Sequence, residues 1–120
     1  MLALHDYTIV GIRFDEKLRT VWLDLRPEDM DTIYTMTLQN VTNFCAQEVA
    51  LQNVILDYKV YRESSQDVEF SYACSLLGLK PSDLKLDPST QRLVYFEPSV
   101  GAAIACLANM PIDPLLVIAP

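Results

Sequence analysis

A chain of 120 residues, 51% apolar and 21% charged, is long enough for one domain with a single core and lies far from the disordered regime. Sixteen acids against nine lysines and arginines give a net charge of −7. That field disfavours nucleic acid and anionic membrane as partners and favours basic ones, although it also serves simply to keep a small domain soluble.

The charge is spread along the chain, with nine acids and five bases up to residue 60 and seven and four after it. It therefore belongs to the body of the domain, residues 1–120, and to no acidic tail. Tyr7–Phe14 and Thr20–Leu25 alternate apolar and polar residues around the charged turn Asp15–Arg19, which predicts an antiparallel hairpin without an Asn-Gly signature. Thr8, Val10, Ile12 and Phe14 share one face of the first strand, and Ile9, Gly11 and Arg13 the other. On the second, Val21, Leu23 and Leu25 form the apolar set, which leaves Trp22 on the polar face with Thr20 and Asp24.

Pro27 ends that strand and Glu28-Asp29-Met30-Asp31 reads as an acidic loop. Ile33–Leu38 is rich in β-branched and aromatic residues, with Tyr34, Met36 and Leu38 on one face, and reads as a strand. Asn40–Ala50 fits two descriptions, a helix with Val41, Phe44, Cys45 and Val49 on its stripe or a bent strand. Val54–Tyr61 alternates, with Val54, Leu56, Tyr58 and Val60 on one face and Ile55, Asp57, Lys59 and Tyr61 on the other. After the polar linker Arg62–Asp67, the residues Val68, Tyr72, Leu76 and Leu79 recur at helical spacing. Gly78 suits a cap there and Pro81 a stop, although Val68–Ala73 also suits an extended segment. Asp87–Thr90 and Pro98–Gly101 read as turns, Leu93–Phe96 and Ala102–Ala108 as strands, and Pro111 and Pro114 break the tail. The sum is an α+β domain, an antiparallel sheet of about six strands with one or two short helices.

Chemistry-bearing patterns are sparse. His5-Asp6 is the one histidine–carboxylate neighbour pair, and neither a nucleophile elbow nor an activated cysteine accompanies it. Pinning the start of the first strand is the reading that this pair supports better than catalysis. Cys45, Cys74 and Cys106 stand in apolar settings without metal-ligand spacing, as buried free thiols of a reducing compartment do. The acids Asp24, Glu28, Asp29 and Asp31 lack the spacing of a calcium loop, and Gly11, Gly78 and Gly101 do not cluster into a phosphate cradle. No catalytic, cofactor or metal residues are assigned. The N-terminus has no basic region followed by an apolar one, and the apolar tracts are too short to span a bilayer, so a cytoplasmic location is expected.

What remains is surface. Asp24, Glu28, Asp29 and Asp31, with Glu63, Asp67 and Glu69 around the linker, form a candidate negative patch, and Trp22 and Tyr61 are candidate aromatic anchors beside it. Tyr34 and Tyr58 also occur nearby in sequence, but core packing is the favoured reading for both.

Three segments stand in a suggestive order. They are Leu4-His5-Asp6 leading into a strand that ends Arg13-Phe14-Asp15, the return Thr20–Leu25, and Leu51-Gln52-Asn53-Val54-Ile55-Leu56-Asp57. Over about its first half the chain resembles small bacterial immunity-protein domains of polymorphic toxin and contact-dependent inhibition systems. The resemblance brings no catalytic residues. It implies a non-enzymatic cytoplasmic protein whose partner is a cognate toxin domain, which the charge suggests is basic and nuclease-like. A structural or homodimeric assembly module is the alternative; a small hydrolase built on His5 and a cysteine ranks last.

Overall fold

The alternation around the charged turn does fold as a hairpin. In the computed structural model, which describes residues 3–120, β1 (Thr8–Asp15) and β2 (Thr20–Arg26) pair antiparallel. β3 (Tyr34–Leu38) adds to β2, and a short β8 (Leu116–Ile118) adds to β3. The other half consists of β4 (Val41–Gln47), β5 (Val54–Tyr61), β6 (Gln91–Val100) and β7 (Ala103–Asn109). The strand order is β4-β7-β6-β5-β1-β2-β3-β8, antiparallel throughout, and the halves join where Thr8 lies opposite Val54. Among the described residues one α-helix, α1 (Val68–Leu76), and a single 3-10 turn at Pro81–Asp83 complete an α+β domain.

The sheet has eight strands, where about six were expected. One addition is β4, inside the ambiguous Asn40–Ala50. A bulge between Val41 and Asn43 gives the core-facing Val41 and Phe44 a spacing of three, which imitates a helical stripe. The other is β8, an edge strand that fits after Pro114 because prolines are tolerated at sheet margins. The expected turn at Pro98–Gly101 also shrinks. β6 runs on through Pro98, Ser99 and Val100, and the chain reverses at Gly101, whose φ of 81° suits glycine.

Bulges correct two face assignments. In β1 the register slips between Ile9 and Gly11, so Ile9 and Ile12 turn to the core and Val10 is left exposed. In β5 it slips between Ile55 and Asp57, so Ile55, Tyr58 and Val60 face inward and Leu56 faces solvent. One extra residue reverses a period-two pattern from that point on.

The two halves fold over each other. Ile9, Val21, Leu23, Leu25, Met36 and Leu38 from one half meet Ile55, Tyr58, Val94, Phe96, Ile104 and Cys106 from the other. Phe14 of β1 meets Phe44 of β4 edge-on at 5.4 Å, and Tyr58 and Val60 of β5 lie beside Leu115 and Leu116. Each far edge thus lies near the junction strand of the opposite half, so the one sheet curls over on itself.

α1 covers the second half's outer face, packing Phe70, Ala73 and Cys74 on Leu93, Tyr95, Ala105 and Leu107. β6 and β7 are therefore buried on both faces, which accounts for their unbroken apolar runs. The helix stops where expected. Gly78 donates to the Ser75 carbonyl and Leu79 to that of Cys74, a Schellman closure with Gly78 at φ 71°. Cys74 and Cys106 are buried, and burial pushes the Cys106 thiol up to about 12. Cys45 is only half-buried, because β4 is an edge. No helix among the described residues is long and apolar enough to cross a membrane.

Candidate partner-binding face

Because Val21, Leu23 and Leu25 point inward, Trp22 and Asp24 point out from the first half, on the side that the helix does not cover. The hairpin register sets Arg13 opposite Trp22, and the β2–β3 register sets Asp24 opposite Thr35. The Arg13 guanidinium lies 5.4 Å from the centre of the Trp22 ring, within cation–π range. It also forks onto Asp24, with Nε 3.1 Å and Nη2 2.9 Å from the two carboxylate oxygens. Thr35 Oγ1 donates to Asp24 Oδ1 at 2.9 Å. Gly11 makes room for this carboxylate, since a Cβ there would come within 3.0 Å of it.

The Arg13 hydrogen bond, with help from Thr35 and against the opposing effect of burial, holds the Asp24 carboxyl below its usual range. Asp24 is thus an oriented ion-pair partner and no free anion. Asp31 and Thr32 from the loop between β2 and β3 join Arg13, Asp24 and Thr35 around a groove of about 750 Å³. Glu28 and Asp29 are exposed on the same loop, Asp29 with a left-handed φ of 59°.

The remaining predicted residues lie elsewhere. Tyr61 faces away from the main core, as alternation requires, but into the helix-side cluster. Its ring meets Phe70 edge-on at 5.1 Å, and its hydroxyl donates to Asp67 at 3.4 Å. It is half-buried and no free anchor, because the sequence pattern did not reveal that a second core covers this face. Glu69 pairs with Lys59 at 3.6 Å, and Glu63 and Asp67 are exposed. The candidate patch therefore divides into a Trp22, Asp24 and Asp31 neighbourhood and a Tyr61, Asp67 and Glu69 neighbourhood. Sequence reasoning missed Arg13 and Thr35. Arg13 was within reach, because closing the hairpin with Asp15 opposite Thr20 also sets Arg13 opposite Trp22.

His5 is tied across the junction between the halves. Its Nδ1 lies 2.7 Å from the Leu56 carbonyl oxygen on β5, to which it donates, and its Nε2 is 3.3 Å from Asp6. The Leu56 carbonyl first and the Asp6 charge second raise its pKa. No protein-family model matches this chain, and no curated protein or solved structure matches it significantly.

Proposed function

We propose that the chain is a non-enzymatic, cytoplasmic immunity protein that binds and neutralises a basic, nuclease-type toxin domain. The observation that carries this reading is the uncovered face of the first half. It presents an ordered Trp22–Arg13–Asp24–Thr35 array beside the exposed acids Glu28, Asp29 and Asp31. A preorganised aromatic with charged partners makes a low-entropy anchor, and surrounding acids speed the capture of a cation-rich surface. A nuclease domain must hold phosphates and so offers such a surface. The resemblance of the first half to immunity domains points the same way.

The test is calorimetric titration with the C-terminal domain encoded by the gene immediately upstream. Nanomolar binding that weakens as salt is added supports the reading, and absence of binding removes it. Within a complex that does form, Glu28→Lys, Asp29→Lys and Asp31→Lys together should slow association at low salt by about ten-fold or more. An unchanged on-rate takes this loop out of the interface.

A homodimeric module is the second reading, favoured by the β8 edge. Leu115, Val117 and Ile118 are exposed there beside the unpaired side of a strand. Concentration-dependent mass in sedimentation, with no other protein present, would support it.

A further inference from the structure

Residues 110–116 form a strap that leaves β7 and carries the chain to β3, where β8 begins. Arg92, 1% exposed on β6, holds it in place. Its Nε donates to Asp113 at 2.8 Å and its Nη2 to the Pro111 carbonyl at 2.9 Å, while Nη1 serves the carbonyls of Pro88 and Gln91. β8 is thus delivered to the margin of the sheet by a fixed clasp, and a groove of about 570 Å³ separates its Leu116 from Tyr58 and Val60 of β5. The opposite margin is guarded. There Val41 of β4 donates to the Arg19 carbonyl at 2.8 Å, and Phe44 meets Phe14.

The hydrogen-bond pattern determines what the open margin offers. Ala119 donates to the Ile33 carbonyl at 2.9 Å, and Ile118 lies opposite Tyr34. Bonded and non-bonded pairs alternate in an antiparallel ladder, so Val117 and Ala119 turn their N–H and C=O groups to β3. Leu116 and Ile118 turn theirs away, and among the described residues nothing pairs with them. Pro114 and Pro120 stand at the same alternate positions and have no N–H to offer. From Pro114 to Pro120 no residue is charged, while Leu115, Val117 and Ile118 are each more than half exposed. Edges that stay single are commonly guarded by a lysine or an inward charge, and this one is not.

We propose that β8 pairs antiparallel with β8 of a second copy of the chain, about a twofold axis through Val117. That register sets Leu116 against Ile118 of the partner subunit, and Ile118 against Leu116 of the partner subunit. Each such pair exchanges both of its N–H···O=C bonds, so every unpaired group of Leu116 and Ile118 is satisfied. Moving the axis to Leu116 or to Ile118 sets Pro114 or Pro120 against one of them and loses donors. An uncharged apolar edge suits its own copy better than a basic partner, which would find no carboxylate between Pro114 and Pro120. With β4 guarded, each copy offers one margin, so the pairing closes as a dimer and does not run on as a fibre. The axis crosses the sheet, so both Trp22–Asp24 faces stay open, on the same side. The paired stretch is short, which makes the dimer weak and reversible. This inference rests on the homodimer reading and gives it an interface.

Sedimentation equilibrium from about 10 µM to about 1 mM tests that reading, and substitutions test the interface. The parent's mass should rise with concentration, and more so with added salt, because two copies of net charge −7 repel each other. Ile118→Pro deletes an N–H that β3 does not use and should weaken association by about ten-fold or more. Val117→Cys should form a disulfide-linked dimer on oxidation with diamide, since a non-hydrogen-bonded pair brings the two Cα atoms to about 4.5 Å. Leu115→Cys, equally exposed, should not, because its counterpart lies four residues along, about 13 Å away. The parent, with its half-buried Cys45, is the blank. No rise in mass up to about 1 mM overturns the homodimer reading together with this interface. A rise that Ile118→Pro leaves unchanged, or crosslinking of Leu115→Cys as readily as of Val117→Cys, overturns the interface alone.

Discussion

The two halves of the sheet have four strands each but live in different surroundings. β1, β2, β3 and β8 bury one face, and their outer face carries Arg13, Trp22, Asp24 and Thr35. β6 and β7 are enclosed, with the opposite half on one side and α1 on the other. An enclosed strand can only be packed, so its side chains serve stability. A strand with a free face can hold polar side chains in register, and here it holds them through cross-strand pairs.

That contrast is easiest to break in the enclosed half. Phe70→Ala removes a fully buried ring of α1 that packs on both the helix-side cluster and Tyr61. It should cost about 3–5 kcal/mol in chemical denaturation. Trp22→Ala on the open face should cost about 1 kcal/mol or less, an area and cation–π loss at a half-exposed site. Equal costs would mean that the open face is as structural as the enclosed one.

Gly101→Ala comes next. The turn between β6 and β7 needs a positive φ there, and a Cβ would run into the side-chain oxygen of Asn53 and the carbonyl of Gln52. Asn53 itself receives the amides of Ala50 and Ala102, so the whole latch would shift. A loss of roughly 2–3 kcal/mol is expected from thermal or denaturant melts. A variant as stable as the parent would show that this corner yields.

Arg13→Ala sharpens the comparison from the open side, with a small stability effect, because Arg13 is largely exposed. Its clearer signature is titration. The Asp24 pKa lies below its ordinary value in the folded protein, so its ion pair contributes stability that is present above the unfolded pKa and lost as pH falls through the folded one. In Arg13→Ala the NMR-monitored Asp24 pKa should rise, and the parent's stability advantage should fade on acidification. An unmoved Asp24 titration would assign the low pKa to Thr35.

The smallest effect concerns the seam between the halves. The His5 pKa is raised above its unfolded value, so the charge-dependent part of its contribution is fully present below about pH 6.5 and is lost as pH rises through the folded pKa. The melting difference between the parent and His5→Ala should therefore shrink from pH 6 to pH 8. A difference that stays constant would leave only the Nδ1–H bond to Leu56, which the neutral ring also makes.

What the sequence determined by itself was local. The hairpin, the presence of a helix after the linker, the Gly78 cap and the outward placement of Trp22 and Asp24 all follow from period, propensity and φ preference over a few neighbouring residues; the helix's buried face does not, since Phe70, Ala73 and Cys74 pack inward while Val68 and Tyr72 of the expected stripe are exposed. The tertiary structure decided what depends on distant strands. Bulges at Val10 and Leu56 reversed two faces, because an unpaired residue is defined only by the partner strand it fails to match. The tail became β8 because β3 offered it an open edge. Tyr61 went under α1 because a second core lay on that side. The Arg92–Asp113 clasp joins residues that share no pattern in the chain, and it is the enclosed strand β6 that sets the guanidinium where the strap's carbonyls and carboxylate converge.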